Sequence, residues 1–209
     1  SRALNDTWQL FGNVSYSAMT PSLDKLIDDV NMIKNEGFEN ETATWFDVGA
    51  RFKSLNGQWA GSMNYYYALW SDRAQSGTSE DLNGVESFFS ITGLSELHQG
   101  LEYSIAYQPI PVLRFDIRGH ESDWRFTEDL SYTWNEIEGD GASSETFDLY
   151  VKDVMISGAP QSQTVLMVTG FFNRLKASVE AESFARQYPR WGYDGAIQDL
   201  AFLLGEGNT

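Results

Sequence analysis

The fold is decided by Trp45-Phe46-Asp47-Val48-Gly49-Ala50-Arg51-Phe52-Lys53 and, after Asn56-Gly57, by Trp59-Ala60-Gly61-Ser62-Met63-Asn64-Tyr65-Tyr66-Tyr67-Ala68-Leu69. Successive side chains of a β-strand point to opposite faces. On the way in, Phe46, Val48, Ala50 and Phe52 share one face, while Trp45, Asp47, Gly49, Arg51 and Lys53 share the other. On the way out, Trp59, Gly61, Met63, Tyr65, Tyr67 and Leu69 alternate with Ala60, Ser62, Asn64, Tyr66 and Ala68. An Asn-Gly pair between two alternating runs is a strong hairpin signal.

The same pattern extends outward from this hairpin. Leu101, Tyr103, Ile105 and Tyr107 oppose His98, Gly100, Glu102 and Ser104; beyond a Pro109-Ile110-Pro111 turn, Leu113, Phe115 and Ile117 oppose Arg114, Asp116, Arg118 and His120. A third hairpin runs from Leu166, Val168, Gly170 and Phe172 into Ala177, Val179 and Ala181, with Ser178, Glu180 and Glu182 opposite. Trp8, Leu10, Val14 and Tyr16 alternate with Gln9, Asn13, Ser15 and Ser17 in a first strand, which makes about seven strands.

Their connections alternate in kind. Tight turns fall at Asn56-Gly57, Pro109-Ile110-Pro111 and Asn173-Arg174, and long polar connections at about 20–43, 73–90, 121–148 and beyond 187. A transmembrane β-barrel has this rhythm, with short turns at the periplasmic rim and long loops at the outer rim. Strands of roughly ten residues suit a tilted bilayer crossing. Trp45, Trp59, Tyr65, Tyr67, Trp70, Tyr103 and Tyr107 lie near strand ends, where interfacial aromatic girdles sit. The expected fold is all-β, an antiparallel transmembrane β-barrel. Phe46, Val48, Phe52, Met63, Leu69, Leu101, Ile105, Phe115 and Ile117 are expected to meet lipid, and Arg51, Asn64, Glu102, Arg114 and Arg118 to face the lumen. Opposite charges on that lumen face are expected to pair across strands. Alternation is shared with a soluble β-sandwich, which stays open here as a carbohydrate-binding alternative.

The 209 residues carry 14 Lys and Arg against 30 Asp and Glu, a net charge of −16. A phosphate-binding protein needs a basic stripe, so no nucleic-acid partner is expected. Much of the acid lies in the long connections, where it solvates a surface or attracts a cationic or metal-loaded ligand. With no cysteine, disulfides and thiolate metal sites are excluded. No run of about 18 apolar residues offers a transmembrane helix, which leaves a barrel open. No signal peptide is visible and Ser1 is not an initiating Met, so the chain is expected to be processed or part of something longer.

Little here suggests catalysis. His98 and His120 both fall on polar strand faces, and no Gly-x-Ser-x-Gly elbow is present. Glu138-Gly139-Asp140-Gly141 lacks the spacing of an EF-hand. No enzyme activity, cofactor or metal is expected. Phe184, Tyr188, Trp191 and Tyr193 with Arg186 and Arg190 suit either a ligand patch or an outer girdle.

Several stretches resemble one family, the TonB-dependent outer-membrane receptors, particularly those of Bacteroidota. Asn40-Glu41-Thr42-Ala43-Thr44 into Phe46-Asp47-Val48-Gly49, then Asn64-Tyr65-Tyr66-Tyr67 and Trp70-Ser71-Asp72-Arg73, is similar to a hairpin of that family. So are Ile91-Thr92-Gly93 through His98-Gln99-Gly100-Leu101-Glu102, Ser122-Asp123-Trp124, and Tyr150-Val151-Lys152-Asp153 through Gly158-Ala159-Pro160-Gln161-Ser162-Gln163-Thr164. Asp153 stands where the family often has glycine, and Pro160-Gln161-Ser162 interrupts its small-residue run.

The resemblance implies a 22-stranded barrel around an N-terminal plug, taking up a nutrient such as an iron chelate, cobalamin, a glycan or a peptide with energy relayed by TonB. Residues 1–209 would then be about seven strands of the barrel, without the plug. The implied partners are outer-membrane lipid, the remaining barrel and plug, TonB through an N-terminal region outside this chain, and a surface lipoprotein. A small structural or adhesion barrel is the other membrane alternative. For ligand binding, the aromatics at the long loops and outer strand ends are expected to serve: Trp70, Trp124, Trp134, Tyr188, Trp191 and Tyr193.

Overall fold

The computed structural model describes residues 1–20, 27–28, 33–34, 39–80, 86–138 and 141–188. Twelve strands occur there: β1 (Arg2–Ala3), β2 (Trp8–Met19), β3 (Ile27–Asp28), β4 (Ile33–Lys34), β5 (Glu41–Lys53), β6 (Trp59–Glu80), β7 (Glu86–Ile110), β8 (Leu113–Phe126), β9 (Leu130–Glu138), β10 (Gly141–Leu149), β11 (Ser162–Phe172) and β12 (Leu175–Ala185). One antiparallel sheet runs β1-β2-β5-β6-β7-β8-β11-β12, with β9 and β10 continuing from β7, while β3 and β4 pair only with each other. Strands adjacent in the wall follow one another in the chain, apart from the hairpins inserted in two long connections, as the alternating turns require. The described sheet does not close on itself; it is a partial barrel wall.

The seven wall strands β2, β5, β6, β7, β8, β11 and β12 are those read from alternation, and the three tight turns join them where expected. A further short connection follows β1, where Asn5 Oδ1 accepts the amides of Thr7 and Trp8 at 2.9 and 2.8 Å. Two of the long connections differ from the expectation. Most of 73–90 is strand, because β6 and β7 stay paired out to Glu80↔Glu86. Part of 121–148 is the β9–β10 hairpin, whose β9 lies against the far end of β7. The far part of β6, residues 73–80, is polar and lacks an apolar alternation, so its strand character comes from the β7 backbone beside it rather than from its own pattern. The β9–β10 hairpin does alternate, Leu130, Tyr132 and Trp134 against Ser131, Thr133 and Asn135, and Phe147 and Leu149 against Thr146 and Asp148, a signal that a loop reading passes over. β7 reaches 25 residues, about 80 Å at 3.3 Å per residue, where roughly ten residues suffice to cross a bilayer.

Register places the two faces as the alternation required. Leu10↔Ala50↔Met63↔Tyr103 forms one row of the apolar face, and Gly61↔Ile105↔Ile117↔Leu166 the next. All nine expected lipid-facing residues lie on this face and all five expected lumen-facing residues on the other. Nothing among the described residues covers the apolar face: Val14 is 78% exposed, Val48 and Met63 55%, and Val179 76%. A sandwich would pack a second sheet there, so the soluble alternative fails on this face.

Aromatics bound the apolar face at both ends. Near the short turns Trp8 meets Phe52 (ring centroids 5.0 Å apart) and Trp59 stacks on Tyr107 at 4.0 Å; towards the long loops Phe46 meets Tyr67 at 5.2 Å and Tyr65 at 5.8 Å. Trp59 to Tyr67 spans about 27 Å of strand, or about 20 Å of height at a barrel tilt near 40°, close to the apolar band of outer-membrane barrels. Three of the aromatics assigned to girdles lie elsewhere. Trp45 and Trp70 are on the polar face, one residue out of phase with Phe46 and Leu69, and Tyr103 sits between the bands opposite Met63.

Both faces repeat one packing device, an aromatic ring laid over a directly opposite glycine. The pairs are Phe11 over Gly49, Tyr66 over Gly100 and Tyr103 over Gly119. A Cβ on Gly100 would lie 2.6 Å from the Glu121 carbonyl oxygen and 2.8 Å from the Tyr66 hydroxyl. With that space empty, Tyr66 reaches across β7 to Ser122 at 2.8 Å, and Tyr103 reaches across β8 to Thr164 at 2.8 Å.

Charges on the polar face pair less often across strands than expected. Arg118 meets Glu180 at 3.4 Å over the intervening β11. Arg114 instead takes Asp116 of its own strand at 2.6 Å, since residues two apart share a face within reach of a long side chain, and Arg51 lies 4.6 Å over the Phe11 ring.

Candidate ligand-binding site at the long-loop end

The separate motif stretches converge at the long-loop end of the sheet. His98-Gln99-Gly100-Leu101-Glu102 supplies alternate residues to two faces. On the polar face His98 contacts Glu96 at 3.1 Å, Gly100 makes room for Tyr66, and Glu102 accepts from Asn64 at 3.5 Å. On the apolar face Gln99, opposite Tyr67 at the edge of the aromatic band, accepts from the Tyr65 hydroxyl at 2.8 Å and donates to Asp123 at 3.1 Å, while Leu101 lies within the band. Ser122-Asp123-Trp124 answers from β8: Ser122 meets Tyr66, Asp123 meets Gln99, and Trp124 Nε1 donates to the Tyr66 hydroxyl at 2.8 Å. The Trp124 ring lies between two imidazoles, His98 at 5.6 Å and His120 at 6.2 Å between centroids.

Beside this array stand Trp45 and Trp70, edge to face at 5.2 Å, with the Arg73 guanidinium 5.3 Å over the Trp70 ring. Arg73 bridges Glu41 of β5 at 3.3 Å and Glu96 of β7 at 2.8 Å. Three tryptophans, Tyr66 and two imidazoles thus line one surface on four strands, with Arg73 held between two carboxylates. Half-buried aromatics with adjacent polar atoms can stack on planar or ring-bearing groups and hydrogen-bond at their edges.

Glu96 is nearly buried. Burial would raise its pKa, but the His98 hydrogen bond and the Arg73 charge outweigh it and hold the carboxyl below the usual carboxylate range. A carboxyl whose folded pKa is depressed contributes stability above its unfolded pKa and loses it as pH falls through the folded one. Thermal stability is therefore expected to drop on acidification below roughly pH 5, with Glu96→Gln less stable at neutral pH and flatter in that window. Unfolding temperatures of both proteins across that range check this; parallel curves would remove Glu96 as a source.

The segment entering β11 fixes the site along β8. Gln161 is fully buried, and its amide acts as a short piece of strand: Oε1 accepts from Trp124 N at 3.1 Å, and Nε2 donates to the oxygens of Trp124 at 2.9 Å and Ile156 at 3.2 Å. Its carbonyl accepts from Ser122 N at 2.7 Å. Residues 153–156 also bond to β8, Asp153 N to Phe126 O and Ile156 N to Trp124 O, both at 2.9 Å. Asp153 has φ +64°, a left-handed conformation that glycine adopts freely and aspartate tolerates. That accounts for the glycine usual at this place in the resembling family, and Arg125 at 3.5 Å gives the aspartate a partner.

Of the six expected ligand residues, Trp70 and Trp124 meet at this surface. Trp134 lies in β9, paired with Phe89 and Glu145. Tyr188 is half-buried three residues beyond β12. Trp191 and Tyr193 lie outside the described residues, as does the Gly139-Asp140 pair. Trp45, Tyr66, His98 and His120 complete the surface without having been expected as ligand residues; their polar-face phase with Trp124 was the available signal.

Compared with known families, residues 2–201 match the one described as TonB dependent receptor-like, beta-barrel. No curated protein and no solved structure matches the chain.

Proposed function

The chain belongs to the β-barrel of the TonB-dependent receptors, transporters of the bacterial outer membrane that work with a plug domain and TonB, and from that premise we propose how this wall serves uptake. Residues 1–209 form part of a larger barrel of about 22 strands; the open run of seven wall strands supports this. The nutrient is received at the long-loop end of the polar face, and Trp70 and Trp124 contact it, with Trp134, Tyr188, Trp191 and Tyr193 contributing from the surrounding outer segments. The convergence of Trp45, Tyr66, Trp70, His98, His120 and Trp124 on one surface carries this reading. The Bacteroidota-type motifs support a receptor that works with a surface lipoprotein.

Trp124→Ala and Trp70→Ala are each expected to weaken nutrient binding by roughly tenfold or more, the effect of losing a central aromatic anchor, with barrel assembly retained. Uptake by cells and heat-modifiable gel mobility of the same variants separate the outcomes. Loss of heat-resistant folding with unchanged affinity in the folded fraction would assign both residues to the rim structure instead.

A further inference from the structure

A line of interruptions crosses the sheet where the wall ends. On β6 and β7 pairing is regular as far as Trp70↔Glu96, shifts at Arg73↔Leu94, and shifts back at Gln75↔Ile91. One extra residue on β6 is offset by one on β7, so the original register resumes beyond. Each strand carries one left-handed residue there, Asp72 at φ +57° and Gly93 at φ +72°. Bulges bend and twist a strand locally. At the same level β7 exchanges partners, from Glu96↔Phe126 of β8 to Thr92↔Ser131 of β9. β2 and β5 also end there, at Met19↔Glu41.

Beyond this line the far halves of β6 and β7 join β9 and β10 in a four-stranded arm. The arm has its own core of Ile91, Leu94, Leu130 and Tyr132, against which Phe126, Phe147, Leu149 and Val151 pack. A unit with its own core, attached through irregular pairing, moves as a body rather than by fraying. Arg73 stands on the arm side of the first bulge, and both of its carboxylate partners stand on the wall side.

We propose that the four-stranded arm is a hinged element that pivots at the paired bulges of Asp72 and Gly93 and is latched to the wall by Arg73 through Glu41 and Glu96. Phe126, at the last position of β8, packs on the arm's core and serves as the pivot's apolar seat. The arm carries Arg73 away from Trp70 when it moves, so latch and aromatic surface change together.

Residues 1–209 carry no cysteine, so once any cysteine elsewhere in the receptor is replaced, introduced cysteines give defined spin labels. In the intact receptor in lipid nanodiscs, labels at exposed Asp148 on β10 and Ser17 on β2 report arm against wall, and labels at Ser17 and Glu102 report the wall alone. The parent is expected to give narrow distance distributions for both pairs. Arg73→Gln and Glu41→Gln should each broaden the arm–wall distribution or add a second peak while leaving the wall pair narrow. An arm–wall distribution unchanged in both variants overturns the hinge, as does equal broadening of the wall pair. Should Arg73→Gln fail to assemble, Glu41→Gln is read alone by the same criteria.

Discussion

Met63→Arg is expected to destabilise the assembled barrel by about 2–4 kcal/mol, while Asn64→Arg, one residue further on, leaves assembly intact. Met63 lies on the apolar face midway between Trp59 and Tyr67, and more than half of its surface is free of protein. A guanidinium there must enter hydrocarbon or distort the bilayer around it. Asn64 points to the opposite face and already donates to Glu102, so an arginine at that position finds a carboxylate. Urea unfolding from lipid vesicles measures both variants. Equal tolerance, or the reverse order, would mean that every side chain of β6 is assigned to the wrong face.

Gln161→Leu is expected to cost about 3 kcal/mol, because an apolar isostere leaves the Trp124 amide and carbonyl and the Ile156 carbonyl buried with one partner fewer. Gln161→Glu sets a buried carboxylate against the Trp124 and Ile156 carbonyl oxygens, so at neutral pH it should be no more stable than the leucine variant. Unfolding midpoints rank the three proteins. A leucine variant as stable as the parent would show that the segment at 153–161 is held by its backbone bonds alone.

The wall was legible in the sequence because lipid and lumen impose opposite chemistries on alternate residues, and that constraint writes itself into every crossing strand. In the far part of β6, where neither solvent nor a core imposes it, the signal vanishes. Ser76, Gly77, Thr78 and Ser79 read as loop although they are strand, since their order comes from β7. The surface around Trp124 was half legible. Trp70 and Trp124 were found as aromatics at strand ends, but Trp45 was placed in a girdle although its own phase with Asp47 and Arg51 put it on the polar face. Arg73, Glu41 and Glu96 lie on three strands, and their meeting depends on cross-strand register. Asp153 was visible only as a departure from glycine; its positive φ supplies the reason.

The rings laid over glycines have a consequence for inheritance. Tyr66 and Gly100, 34 positions apart in the chain, fill one volume between them, as do Tyr103 with Gly119 and Phe11 with Gly49. The glycine cannot gain a side chain while its partner keeps the ring, and a ring lost alone leaves bare backbone beneath it. Such pairs couple energetically, so a lineage crosses from one composition to another only through a less stable intermediate. Among descendants the two positions of a pair should change together or stay fixed together, each pair behaving as a single heritable unit.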